Sequence, residues 1–160
     1  MTSKLVKLPL PAGLKKVVIK DEKVSATQGG TFTSGAWRTR DLNKVEGDTD
    51  IVSLSSNQFT LPGGSYMIIA RAPARNVDGH QARLYNVTTS SEAAAGTQGY
   101  AANSNGGSNN TSSIVSVKID ISSATTFEIQ HQCQTTYTTS GFGTAGGSVA
   151  LYTTVTILKL

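Results

Sequence analysis

Few residues of this chain are of a type that could do covalent or metal chemistry. The chain holds two histidines, His80 and His131, and one cysteine, Cys133. His131 and Cys133 stand two apart, so in a strand they share a face. A Cys–His nucleophilic site needs groups converging from separate elements, and no orienting base is evident for this pair. Zinc ligation by the same two residues lacks two further ligands at suitable spacing. The reading is therefore a core or subunit-contact histidine beside a small buried apolar residue. Glu46, Asp48 and Asp50 alternate like part of an oxygen-ligand calcium loop, but the bidentate glutamate that closes such a loop is missing. They read as solvated loop charges. The glycines of GTAGG (143–147) precede a strand rather than a helix, so no helix N-terminus awaits a phosphate. The expectation is a protein that is not an enzyme and that carries no metal or cofactor.

The elements that position these residues read as strands. Ser and Thr number 39 of 160 residues, Gly adds 16, and charged residues make up 15%. That mixture suits short strands and turns rather than long helices. Tyr66 to Ala72 is apolar on both faces until Arg71 and is bounded by Gly63-Gly64 and Pro73. Such a run predicts a core strand covered on two sides. Val115 to Ile121 alternates cleanly, and Phe127, Ile129, His131 and Cys133 alternate with Glu128, Gln130, Gln132 and Gln134. Val149, Leu151, Val155 and Ile157 predict inward positions on a final strand that runs to Leu160. Further strands are expected near Lys23–Thr27, Trp37–Leu42, Ile51–Leu54, Gln58–Leu61, Gly79–Thr88 and Glu92–Tyr100, with Trp37 at an edge of the core. Eight to ten strands at this spacing and no convincing helix predict an all-β antiparallel sandwich, a jelly roll. Residues 21–160 form that domain and 1–20 an extended basic arm, Pro9 and Pro11 blocking a helix, with a strand around Lys16–Lys20.

Charge is uneven. Six lysines (4, 7, 15, 16, 20 and 23) against Asp21 and Glu22 place the whole net charge of +4 in the first 23 residues. The rest is neutral, which argues against a nucleic-acid partner for the body of the protein. No apolar run approaches the ~20 residues of a membrane span, and no signal peptide is visible. A lone cysteine cannot form an intramolecular disulfide.

WRTRDLN (37–43), IVSLSSNQFTLPGGSYMIIARAPA (51–74), HQARLYNVT (80–88), FEIQHQCQTT (127–136), GFG (141–143) and the closing strand resemble a family of bacteriophage structural proteins. Members of that family are similar to the trimeric jelly roll of tumour necrosis factor and the complement globular head. The resemblance spans about residues 21–160. It implies a non-enzymatic homotrimer on a virion, with no catalytic residues to carry over. With neither heptads nor shaft repeats before residue 21, a capsid decoration (cement) protein is expected. Its arm would grip the major capsid protein through Lys4, Leu5, Lys7, Leu8, Leu10, Leu14, Lys15 and Lys16. Phe127, His131 and Tyr152 are expected along the threefold axis. The alternative is a tail-fibre or receptor-binding knob that recognises a host receptor or glycan. Either reading places the chain on the capsid exterior or the tail.

Overall fold

Runs of alternating apolar and polar residues fold into eleven strands among residues 13–103 and 107–160, the stretches that the computed structural model describes. In chain order these are β1 (Lys15–Lys23), β2 (Arg38–Thr39), β3 (Lys44–Gly47), β4 (Ser53–Ser55), β5 (Gln58–Leu61) and β6 (Gly64–Arg75). There follow β7 (Asp78–Asn86), β8 (Ser91–Ala101), β9 (Asn110–Ile121), β10 (Thr125–Cys133) and β11 (Ala150–Lys159). The first sheet has the order β3-β1-β11-β6-β9, and the second β4-β5-β10-β7-β8 with β2 pairing on β10. Every pairing within these sheets is antiparallel. The chain passes from one sheet to the other at every connection except β4 to β5 and β7 to β8, which stay within the second sheet.

The core lies between the sheets because each strand turns one face inward. Val17, Ile19, Tyr66, Ile68, Ala70, Val155 and Ile157 from the first sheet meet Phe59, Leu84, Phe127 and Ile129 from the second. The Phe59 and Phe127 rings are 5.9 Å apart. A smaller cluster of Phe32, Ala74, Val77, Ala101 and Cys133 fills one end, with Tyr137 and Phe142 packed against it.

Five sequence expectations change. The sandwich begins at Lys15, not residue 21: Val17 and Ile19 are fully buried, and β1 pairs with both β11 and β3. Lys15 and Lys16 thus belong to the domain. The strand expected near Lys23–Thr27 ends at Lys23, because Ala26 adopts a left-handed φ of 66° in a turn. Only Arg38–Thr39 of the Trp37–Leu42 run pairs as strand, and the Trp37 ring lies against Arg83 instead of the core. Val149 and Leu151 point outward, 48% and 46% exposed, since both Tyr152 and Thr153 are buried and the alternation changes phase there. Opposite that point the β1–β11 register slips between Lys20 and Glu22. Finally, β6 is covered on one side only. Tyr66, Ile68, Ala70 and Ala72 are buried, yet Ile69 is 42% exposed.

Candidate functional site

The inward side chains of β7 and β10 bring together two residues 51 apart in sequence. His80 Nδ1 and His131 Nε2 are 2.9 Å apart, and His80 Nε2 is 2.7 Å from the Thr111 hydroxyl on β9. The pair fits only because residue 99 is glycine: a Cβ there would lie 2.5 Å from the His80 ring. His131 is fully buried, tilted against Phe32 at 4.7 Å, and its Nδ1 has no hydrogen-bond partner among the described residues. Phe32 stacks on Phe142, and the Arg40 guanidinium lies 4.1 Å above the Phe142 ring. Arg40 is buried without a salt bridge among the described residues. It donates to the Thr153 hydroxyl and to the carbonyls of Pro73 and Phe142.

Burial near a fixed positive charge sets the protonation of this cluster. Desolvation, then the Arg40 charge, lowers the His80 pKa from 6.5 to about 4. The same two causes, with His80 third, hold His131 well below the ordinary histidine range. Burial pulls Arg40 down to about 9, with Asp21 and Asp41 opposing it. Both imidazoles are neutral near pH 7. Cys133 is pushed up to about 11 by burial, and its thiol points at the carbonyls of Thr135 and Phe32, not at a histidine. A protonated thiol with no base in contact is not an activated nucleophile. The centre is a polar network buried within the protomer.

Phe127, His131 and Tyr152 must be withdrawn as threefold contacts. They are 1%, 0% and 2% exposed within a single chain, which leaves them no surface to offer a second copy. The strand period put them on one inward face, and that face is the protomer's own core.

The basic residues fare differently. Lys15 pairs with Asp50, Lys20 with Glu46 at 2.5 Å, and Lys23 with Asp21 and Asp41 at 2.9 and 2.8 Å. Asp48 accepts the Lys16 backbone N–H at 2.7 Å. The acids that resembled a calcium loop therefore receive lysine ammonium groups and a peptide N–H. Glu46 and Asp50 are held below the ordinary carboxylate range by hydrogen bonds from Lys20 and Lys15. Lys4, Leu5, Lys7, Leu8 and Leu10 lie outside the described residues, and Leu14 directly precedes β1.

The two outer faces of the sandwich contrast. On the second sheet, Arg83 on β7 donates to the side-chain Oε1 of Gln130 at 2.9 and 2.6 Å and lies 3.9 Å over Trp37. Its guanidinium is 3.5 Å from Glu92, while Glu128 accepts from Thr39, Gln58 and Gln130. This part of the face, around Arg83 and Glu128, satisfies itself. On the first sheet the central cross-strand row is Val18, Thr156, Ile69 and Ser116, ending at the β3 edge on Glu46, with Lys20 and Arg71 in the row beside it. Leu158 and Met67 lie beside one another in the next row, flanked by Lys16 and Lys118. At the adjoining edge, β8 carries Ala93, Ala94, Ala95 and Gly96, and β9 exposes Ile114 to 36%. Neither Ile69 nor this edge was identified as a contact from sequence, although the two-faced run of β6 was the available signal.

No protein-family model matches the chain, and neither does any curated protein. Solved structures do. The globular domain of the zebrafish complement 1qA protein aligns with a TM-score of 0.56 at 10% identity, over 89% of this chain and 94% of that one. Murine APRIL, in its crystal structure at pH 8.0, aligns with a TM-score of 0.52 at 8% identity, over 92% and 99%. These likenesses establish the fold: an antiparallel jelly roll of the tumour necrosis factor and complement-head type.

Proposed function

We propose, taking as premise a jelly roll of this type whose first sheet leaves Ile69 uncovered, that the protein is a non-enzymatic homotrimer serving as a structural component of a bacteriophage virion. The observation that carries the assembly is β6. Its sequence is apolar on both faces, and a strand of that kind is ordinarily covered on both. The protomer covers Ile68 and leaves Ile69 at 42% exposure. The missing cover is another copy of the chain, whose alanine-rich β8–β9 edge with Ile114 is flat enough to lie against Met67, Ile69 and Leu158. Edge-on-face contact is heterologous, and a heterologous contact closes into a ring when its rotation allows.

The virion role rests on the resemblance of residues 21–160 to phage structural proteins, with decoration of the capsid shell as its specific form. The segment before β1 carries Leu5, Val6, Leu8, Leu10 and Leu14 interleaved with Lys4 and Lys7. Burying those side chains against coat protein offsets the entropy of ordering the segment. Lys15, Lys20 and Lys23 are neutralised within the protomer, so the charge left for a coat surface lies on Lys4, Lys7 and Lys16.

Two measurements test these claims separately. Sedimentation equilibrium should give about three times the chain mass of 16.7 kDa. A chain lacking residues 1–12 should remain trimeric yet fail to add to undecorated shells. A monomeric full-length chain removes the assembly claim, and undiminished shell binding by the truncated trimer removes the arm.

A further inference from the structure

A cleft of about 240 Å³ opens beside the ends of β7, β8 and β10 on the outer face of the second sheet. Its lining contains no charged side chain. It is instead crowded with carboxamides: Gln81, Gln98, Gln132 and Gln134 all contribute. The register explains the clustering. Gln132 pairs with Gln81 and Gln81 with Gln98, so three glutamines form one cross-strand row. In the next row Gln134 and Tyr100 flank Gly79.

Much of this hydrogen-bonding capacity is unspent. The Gln132 side chain has no partner among the described residues. Among the described residues Gln134 uses only Oε1, which accepts the Gly79 N–H at 3.0 Å, and its amide N–H groups have no partner. Gln98 makes one long contact, 3.4 Å, to the Gln81 carbonyl. Each carboxamide both donates and accepts, in a plane. Beside them Tyr100 is 64% exposed, an unusual position for so large an aromatic ring with no cover. Nearby, the Asp78 carboxylate accepts from the Thr135 hydroxyl at 2.6 Å and the Asn103 N–H at 2.9 Å.

We propose that this cleft is a binding subsite for one neutral, hydroxyl-rich pyranose ring, with the Gln98, Gln132 and Gln134 carboxamides taking the hydroxyls and Tyr100 packing on the C–H face. The chemistry fits on three counts. Hydroxyls are both donors and acceptors, as are the amides. The lack of charge disfavours anionic or cationic ligands. The volume, about eight waters' worth at roughly 30 Å³ each, holds one ring and not a chain. A twelve-atom ligand of ordinary efficiency binds such a site with a Kd on the order of 1 mM. Useful affinity would come from several subsites on one assembly meeting a repeating polysaccharide.

The full-length chain, labelled with nitrogen-15, is titrated with D-glucose, D-galactose, D-mannose and N-acetyl-D-glucosamine to about 50 mM, well above the Kd expected for one subsite. At least one sugar should shift the Gln98 and Gln132 side-chain amide resonances with a Kd on the order of 1 mM. Gln132→Ala and Tyr100→Ala should each weaken binding roughly fivefold to tenfold, the loss of one good contact, whereas Tyr100→Phe should keep it. Both positions are at the surface, so the variants remain folded. No shift with any of the four sugars overturns the proposal, as does binding undiminished by Gln132→Ala. Preference for sialic acid or for a peptide over every neutral sugar also overturns it. Free monosaccharides read the subsite without reference to oligomeric state, so this result stands apart from the trimer measurement.

Discussion

Acid should weaken this protein in a window set by its buried histidines. His80 is held at about 4 in the folded chain against 6.5 when exposed. Folding therefore keeps off a proton that the unfolded chain accepts. Stability is full above about pH 6.5 and falls as the pH drops toward about 4, because protons then favour the unfolded state. At about 1.4 kcal/mol per pH unit, His80 alone costs about 2 kcal/mol by pH 5 and about 3 kcal/mol by pH 4. His131 acts in the same direction. Set against a total of about 5–15 kcal/mol, this is a large share. The low carboxylates Glu46, Asp50, Asp78 and Asp120 also lose stability in acid, but only as the pH approaches and passes below about 4, so the range from 6.5 to 5 belongs to the histidines. Asp21 is raised by burial and works the other way, equally in wild type and variant. The assay is urea unfolding followed by circular dichroism at pH 7, 6, 5.5 and 5, at one fixed chain concentration. The double variant His80→Gln, His131→Gln should be less stable at pH 7 yet lose most of the slope. A wild-type midpoint that stays flat from pH 7 to 5, or a variant that keeps the full slope, would refute the reasoning.

Two substitutions probe other parts of the molecule. Ile69→Asp puts a charge at the exposed Ile69 position without touching the core, and should convert the proposed trimer to monomers in sedimentation while leaving the circular dichroism spectrum unchanged. Gly99→Ala drives a methyl to 2.5 Å from the His80 ring and should lower stability by about 1–3 kcal/mol in urea titration, the usual cost of overpacking.

The sandwich was legible because period-two alternation survives intact where a strand has one buried and one wet face. Phe127, Ile129, His131 and Cys133 all turn inward as their spacing requires. The same rule placed Val149 and Leu151 on the wrong side, since Tyr152 and Thr153 are both buried and a change of phase leaves no mark in composition. It also could not tell a protomer's core from apolar residues left at the surface: Phe127 and Tyr152 are buried in the core, while Ile69 stays 42% exposed. Arg40 was missed altogether. Its partners, Thr153, Pro73 and Phe142, come from three other parts of the chain, and a buried guanidinium looks in sequence like any surface arginine. The glutamine row escaped for a related reason. Gln130, Gln132 and Gln134 are visible as the polar half of an alternation, but only the register with Gln81 and Gln98 makes them a cleft.

The unequal sides of the sandwich have a consequence for how copies of the chain can meet. On one side Ser113 and Thr97 tie β9 to β8: the Ser113 hydroxyl donates to the Thr97 carbonyl and the Ile114 N–H to the Thr97 hydroxyl. On the other side the open edges are β3 and β4, of four and three residues, and β3 carries Lys44 and Glu46. Edges this short, and in β3 this charged, are poor templates for adding a foreign strand. Copies packed shoulder to shoulder can then meet through side chains on their faces without the backbone-to-backbone zippering that turns exposed β-sheet into fibres.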